Sequence, residues 1–119
     1  MRSVYEDRLL DKARAKKRLP EIRKRFNAGL QPGEQIMVKA PFERPDGGNE
    51  WMWVEVSSWK GDVIVGLLNN DPVDIPDLHA GAEVKVRQSE VFDYLHYKAD
   101  GTEEGNETGK EIAKAQNGR

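Results

Sequence analysis

The stretch that most constrains the fold is residues 50–68, which read EWMWVEVSSWKGDVIVGLL and hold all three tryptophans. In its first half the side chains alternate, so that Met52, Val54 and Val56 share one face and Trp53 lies on the other. A period of two is the pattern of a β-strand, because successive side chains point to opposite faces of a sheet. The alternation therefore predicts a strand whose apolar face is directed into a core.

The second half of this stretch predicts the partner strand. Gly61, within the connection Lys-Gly-Asp, can adopt a positive φ at little steric cost. The β-branched residues Val63, Ile64 and Val65 follow at once, and such runs are typical of strands. We therefore predict a β-hairpin that turns at Gly61.

The composition predicts one folded domain. The chain has 119 residues, 37% of them hydrophobic and 34% charged, which is outside the low-hydrophobicity regime of disordered chains. It has no cysteine, which excludes disulfides and thiolate metal sites. The N-terminus lacks an apolar leader, and no run reaches the ~20 apolar residues of a membrane span. We expect a cytoplasmic protein without membrane contact, folded as a single α+β domain over residues 1–108, with a disordered tail at residues 109–119.

Helix is predicted over residues 4–28, divided at Pro20. Proline lacks a backbone donor and disrupts a helix interior, although it is well placed at the start of a second helix. In that second helix Ile22 and Phe26 lie one turn apart and share a face. Gly29 is the predicted C-terminal stop.

The remaining strands are predicted from shorter runs. Residues 35–40 read as the first strand, which Pro41 ends or places at an edge, and residues 44–49 are rich in turn formers. Further strands are predicted over residues 83–87 and 91–97.

Together these elements predict an α+β fold with its β-rich part at residues 35–98. The N-terminal helices are expected to pack on a strongly bent, mostly antiparallel five-stranded sheet or small SH3-like barrel, since closure would protect the strand edges. In this arrangement Met52, Val54 and Val56 fill the barrel. Trp53 is expected to lie under the helix that bears Ile22.

The N-terminal region is strongly basic. Residues 1–30 hold 10 Lys and Arg against 4 Asp and Glu, whereas residues 31–119 hold 9 against 17. Glu21 is predicted to pair with Arg25 one turn further on. Such a cluster is either a solvated helix face or a footprint for nucleic acid or an acidic membrane. The lack of an interleaved aromatic residue favours the solvated face. The eight residues of the nucleic-acid alternative are Lys12, Arg14, Lys16, Lys17, Arg18, Arg23, Lys24 and Arg25.

The longest central loop, residues 69–81, is acidic. Asp71, Asp74 and Asp77 recur at every third residue, next to Asn70. A metal site is the weaker interpretation, because the prolines in the loop disturb any helix that would align the carboxylates. We predict that these four residues contact a partner.

The sequence contains no recognisable catalytic motif. It has no Gly-rich phosphate loop, no His-Glu-x-x-His and no nucleophile elbow. His79 and His96 would each need convergent partners to act as a general base or a ligand. We therefore expect a non-enzymatic protein that needs no cofactor and no metal.

A family resemblance rests on the Glu-x-Met-Trp-Val segment and on spaced glycines, prolines and aspartates downstream. The pattern resembles the YegJ-like bacterial family of uncharacterised proteins, domain of unknown function twenty-three fourteen. Trp51 stands where that family often has histidine, and Tyr94 where it often has tryptophan, so the first departure weakens a chemical role for a histidine there. The positions that carry the resemblance include Glu50, Met52, Trp53, Val54, Val56, Gly61, Gly66, Pro72, Gly81 and Asp93.

The resemblance implies a bacterial origin and no established reaction. The Asn-x-Pro pattern is also similar to a family of bacterial toxin-immunity domains. We therefore predict an interaction domain that binds a protein through its acidic loop, in the manner of an immunity-type inhibitor, because acidic residues match cationic active sites. The alternative is a nucleic-acid-associated protein that uses the basic helices.

Overall fold

The computed structural model describes residues 4–106, so the predicted tail at residues 109–119 lies outside the described residues. One helix precedes an antiparallel sheet of six strands, and a short 3-10 helix, Gln88–Glu90, joins the fourth strand to the fifth. The elements are α1 Val4–Asn27, β1 Gln35–Glu43, β2 Asn49–Lys60, β3 Val63–Leu68, β4 Glu83–Arg87, β5 Asp93–Tyr97 and β6 Glu103–Gly105.

The prediction of two N-terminal helices is wrong, because α1 continues through Pro20. Ala15, Leu19 and Ile22 are buried at spacings of four and three residues, so one apolar stripe crosses the proline. A proline inside a helix costs about 3 kcal/mol, and each large apolar side chain that is buried contributes roughly 1.5–3 kcal/mol. Packing of this stripe on the sheet therefore offsets the interruption. Gly29, with φ of 97°, follows the end of the helix as predicted.

The predicted hairpin is confirmed. Lys60 pairs with Val63 across a two-residue turn in which Gly61 has φ of 58°. The predicted core face is also confirmed, because Met52, Val54 and Val56 are all buried.

The sheet has six strands in the order β4-β3-β2-β1-β5-β6, which confirms the α+β class but corrects the five-stranded barrel. Within the described residues, β4 and β6 are the two edges of an open sheet. The sixth strand, Glu103–Gly105, was missed because a run of Glu-Glu-Gly has no β-branched or aromatic residue.

β1 extends beyond the predicted end and includes Pro41. This proline is tolerated because β1 pairs with β5 only as far as Lys39, so the ladder on that side needs no donor from Pro41. The neighbouring strand β5 begins at Asp93 rather than at residue 91, because residues 91 and 92 connect it to the 3-10 helix.

The predicted position of Trp53 is wrong. The helix packs on the face that carries Val54, whereas Trp53 lies on the opposite face, with Lys39 Nζ 5.7 Å from the centre of its ring. The tryptophan in the core with Ile22 is Trp59, which is 1% exposed. A β-bulge between Val56 and Ser58 shifts the register by one residue and turns Trp59 inward.

Candidate functional site

The acidic loop, defined here as residues 69–82, continues beside β2 after β3 has ended. Asn69 donates its backbone N–H to the Trp53 carbonyl at 2.8 Å, and Asn70 Oδ1 accepts the Trp53 N–H at 2.8 Å. The side chain of Asn70 therefore replaces the backbone partner that Trp53 would have in a longer β3.

Two carboxylates hold the middle of the acidic loop. Glu50 accepts the N–H of Val73 at 2.9 Å and of Asp74 at 3.2 Å, and Asp71 Oδ1 accepts the N–H of Ala80 at 2.8 Å. The loop closes where Gly81 donates its N–H to the Leu68 carbonyl at 2.7 Å. Charged acceptors of backbone N–H groups make strong hydrogen bonds, so the path of this loop is fixed by specific contacts.

The residues that the loop displays are acidic and apolar. Asp71, Asp74 and Asp77 are all exposed, and the Val73 side chain is 85% exposed. Ile75 and Leu78 point the other way and pack on the core. Asp77 has φ of 67°, a left-handed conformation that Asp adopts more readily than most residues.

The four predicted partner contacts are thus not equivalent. Asn70 and Asp71 use their side chains to hold the loop together. Asp74 Oδ2 lies 3.9 Å from Arg44 Nη1, a loose exposed pair of little strength. The carboxylates of Asp74 and Asp77 are therefore the better placed to meet a partner.

At least four of the eight basic residues on the helix contact the protein itself. Lys16 donates to the Ser89 carbonyl at 3.0 Å, and Arg18 reaches Glu104 at 2.9 Å. Arg23 donates to Gln88 Oε1 at 3.0 Å. Arg25 donates to Glu34 Oε2 at 2.9 Å. Arg14, Lys17 and Lys24 are exposed, and the Lys12 side chain lies outside the described residues.

Sequence reasoning missed a charged cluster around Glu34. The Glu34 side chain, only 4% exposed, accepts Arg25 Nε at 2.9 Å and the backbone N–H of Gln31 at 2.9 Å. Its Oε2 atom also lies 2.6 Å from His96 Nε2. Arg25 binds Glu34 with two nitrogens rather than forming the predicted pair with Glu21. No spacing rule connects residues 62 positions apart, so this cluster could not be found from the sequence.

Hydrogen bonds from Arg25 and from the Gln31 backbone lower the pKa of Glu34 to about 2. Glu34 is thus an anion held between cationic and polar donors. The cluster borders an open depression of ≈ 430 Å³, which Lys98 and Asp100 also line. The other predicted candidate, His79, is exposed in the acidic loop and does not join His96.

A second buried contact joins β5 to β6. Tyr94 donates its hydroxyl to Glu104 Oε2 at 2.6 Å, beside Arg18. Burial raises the pKa of Tyr94 to about 12. The phenol is therefore a neutral hydrogen-bond donor near neutral pH, and it ties the basic helix to the edge of the sheet.

Several residues of the family pattern lie where the surrounding structure restricts the choice of side chain. Gly66 has no room for a side chain, because a Cβ there would lie 2.1 Å from the Glu55 carbonyl oxygen. Gly81 has φ of 88°, and the half-buried Pro72 lies in the acidic loop. Asp93 is fully buried and accepts the Tyr94 N–H at 2.8 Å. Of the family positions, Pro72 and Gly81 thus lie in the acidic loop, and Glu50 binds its backbone.

In the described part of the chain no three His, Asp or Glu side chains are grouped so that they could hold a metal ion. Over the same residues no helix is long and apolar enough to cross a membrane.

Comparison with known proteins identifies the family. The protein named "Uncharacterized protein YegJ" from Escherichia coli (strain K12) is 24% identical over 67 residues, which are 56% of this chain and 43% of that relative, so the match covers less than half of the relative's length. No solved structure matches the chain. The family described as "Uncharacterized protein conserved in bacteria (DUF2314)" matches residues 15–114. The resemblance predicted from the tryptophan segment is confirmed, and the chain belongs to this DUF2314 family of bacterial proteins.

Proposed function

We propose that this protein is a binding module that engages a cationic surface of a protein partner with its acidic loop. The observation that supports the proposal is the contrast between a fixed loop backbone and exposed loop side chains. Asn70, Glu50 and Asp71 hold the backbone, while Val73, Asp74 and Asp77 are exposed.

A fixed loop lowers the entropy that binding must overcome, which favours affinity. Exposed carboxylates accelerate association with a cationic partner through long-range attraction. The excess of acidic residues after position 30 adds to this attraction. Val73, 85% exposed in the same loop, supplies an apolar contact beside the carboxylates. This combination is suited to an inhibitor that covers a basic active site, so the finer proposal is an immunity-type role.

The partner is to be identified by crosslinking from the loop itself. A photoreactive amino acid at position 73 should crosslink a specific host protein, whereas the same group at Lys24, an exposed position on the helix, should not. The captured protein is then used for binding kinetics with purified components.

The decisive measurement compares two variants with equal loss of charge. Asp74→Asn combined with Asp77→Asn should slow association about tenfold or more at low salt. The matched control is Glu83→Gln combined with Glu103→Gln, which removes two exposed carboxylates from the sheet and should change association little. Equal effects of the two pairs, or no effect of the loop pair, would refute the proposal.

The alternative of nucleic-acid binding is supported by the exposure of Arg14, Lys17 and Lys24 on the helix. Binding of random RNA and DNA at two salt concentrations tests it, because phosphate contacts give a steep salt dependence. The alternative would be favoured if nucleic-acid binding were salt-sensitive, were lost in the double variant Lys17→Gln with Lys24→Gln, and were kept in the loop variants.

A further inference from the structure

A second surface, separate from the acidic loop, lies between β4 and the end of β1. It is a cleft of ≈ 390 Å³. The antiparallel pairing of β1 with β5 stops at Lys39, and the 3-10 helix carries the chain from β4 across to β5 at this corner. One wall of the cleft is formed by Pro41, Phe42 and Glu43 of β1, and the other by Lys85, Val86 and Arg87 of β4. Val63 of β3 and Glu90 of the 3-10 helix complete the lining.

The β4 wall offers backbone groups for pairing. Gln88 donates its N–H to the Asp62 carbonyl at 2.8 Å. Because the backbone groups of a strand alternate in direction, Val86 also bonds toward β3, and Lys85 and Arg87 present their N–H and C=O groups to the opposite side. That side has no strand neighbour in the described part of the chain.

The β1 wall offers a similar edge. Lys39 accepts the Phe92 N–H at 2.7 Å, which is where β5 leaves β1. Beyond that bond the alternation directs the carbonyl of Pro41 and both backbone groups of Glu43 to the same side, where no strand follows within residues 4–106. The cleft therefore lies between two strand edges.

We propose that this cleft binds an extended peptide segment of a partner, which adds to β4 as an antiparallel strand. Paired strands lie about 4.8 Å apart, stacked sheets about 10 Å apart, and a strand rises about 3.3 Å per residue, so one strand residue occupies roughly 160 Å³. The cleft of ≈ 390 Å³ therefore holds two to three residues. Main-chain hydrogen bonds to Lys85 and Arg87 supply affinity, as in other cases of strand addition.

The side chains that line the cleft select the peptide. Phe42 packs on the core and Val86 is buried, so an aliphatic residue of the added strand would cover them. Lys85 and Arg87 are exposed on the other face of β4. They would lie directly opposite the two peptide residues that flank the aliphatic residue, and opposite charges at such cross-strand positions stabilise pairing. The favoured segment therefore alternates acidic and aliphatic residues. The two carboxylates of the lining, Glu43 and Glu90, disfavour acidic residues beyond those that face Lys85 and Arg87.

The probe is a capped peptide, Glu-Val-Glu-Val-Glu, added to the full chain labelled with ¹⁵N. We expect shifts of the Lys85 and Arg87 amide signals and at least tenfold slower hydrogen exchange at both amides. A peptide N-methylated at the residues whose N–H groups face β4 should bind at least tenfold more weakly, since it keeps the same side chains but cannot pair.

A peptide with lysine in place of glutamate tests the charge selection. It should bind the wild type at least tenfold more weakly than the glutamate peptide does. The double variant Lys85→Glu with Arg87→Glu should instead bind the lysine peptide more tightly. These variants keep the backbone of β4, and their melting temperatures report folding separately. Equal binding of the N-methylated and unmodified peptides would overturn strand addition, as would signal changes confined to residues outside the cleft or no binding at millimolar peptide. Equal binding of the lysine peptide would overturn the acidic selection.

Discussion

Glu34 Oε2 lies 2.6 Å from Nε2 of His96, although the two residues are 62 positions apart in the chain. Glu34 follows the helix in a turn in which its N–H donates to the Gln31 carbonyl at 2.9 Å. Arg25, in the last turns of the helix, binds the same carboxylate. This contact therefore joins the helix, the first turn and β5 around one buried anion.

The first prediction concerns the stability that Glu34 provides. Glu34→Gln should lower the free energy of unfolding by roughly 2–3 kcal/mol, because hydrogen bonds to charged groups are worth about 1.5–3 kcal/mol and Arg25 would lose its anionic partner. Urea denaturation measures the change. The control is Glu21→Gln, an exposed position on the same helix, which should stay within about 0.5 kcal/mol of the wild type. Equal effects of the two variants would contradict the assignment.

The second prediction is a pH dependence carried by the same group. The pKa of Glu34 is lowered from its usual value of 4.5 to about 2, so between these values the unfolded chain binds more protons than the folded one. The stability from this group is therefore complete above about pH 5 and is lost as the pH falls toward 2.

Unfolding free energies at pH 6 and pH 3 for the wild type and for Glu34→Gln give the test. The difference between the two proteins should shrink at pH 3. Asp46 and Asp100 also have lowered pKa values but are the same in both proteins, so their contribution cancels. A difference that is equal at both pH values would show that the carboxylate is not the source.

The third prediction concerns Gly66. A Cβ at this position would lie 2.1 Å from the Glu55 carbonyl oxygen and 2.7 Å from Val54 Cγ1. Because the backbone of the neighbouring strand cannot move aside cheaply, Gly66→Ala should cost about 3 kcal/mol. Leu67→Ala, at a 44% exposed position in the same strand, should cost much less. Thermal denaturation compares the two, and similar losses would argue against the close approach of β2 and β3.

The fourth prediction separates the tryptophans. Trp59 is buried against the helix and donates its Nε1–H to Gln88 Oε1 at 3.0 Å, so Trp59→Ala should cost about 3–5 kcal/mol. Trp51 is 42% exposed and packs on Phe92 with ring centres 4.9 Å apart and ring planes tilted by 50°. Trp51→Ala should cost about 1 kcal/mol. The melting temperatures of both variants decide whether the bulge turns Trp59 into the core.

The fifth prediction tests whether the acidic loop is held in place for binding. Glu50→Gln weakens the acceptor of the Val73 and Asp74 N–H groups without changing an exposed loop carboxylate. We expect faster amide hydrogen exchange at residues 73 and 74. The non-covalent complex with the partner that crosslinking identifies should also dissociate faster. Glu55→Gln, on the opposite face of β2, is the control. Unchanged exchange at these two amides would show that Glu50 does not fix the loop.

The sequence by itself determined the features that depend on local chemistry. The alternation at Met52, Val54 and Val56 predicted a buried strand face, and Gly61 predicted the turn, because strand period and positive φ are properties of short segments. The length and position of the acidic loop could also be predicted from the sequence, because clustered proline and glycine residues interrupt regular secondary structure.

Only the tertiary structure decided which surfaces meet. Pro20 reads as a break, yet burial of Leu19 and Ile22 against the sheet carries the helix through it. A strict period of two would put Trp53 and Trp59 on the same face, but a single bulged residue turns Trp59 into the core. Arg25 binds Glu34 and His96 meets the same carboxylate because the fold brings the helix end to β5. These outcomes are set by packing between distant segments, whose energy no local pattern encodes.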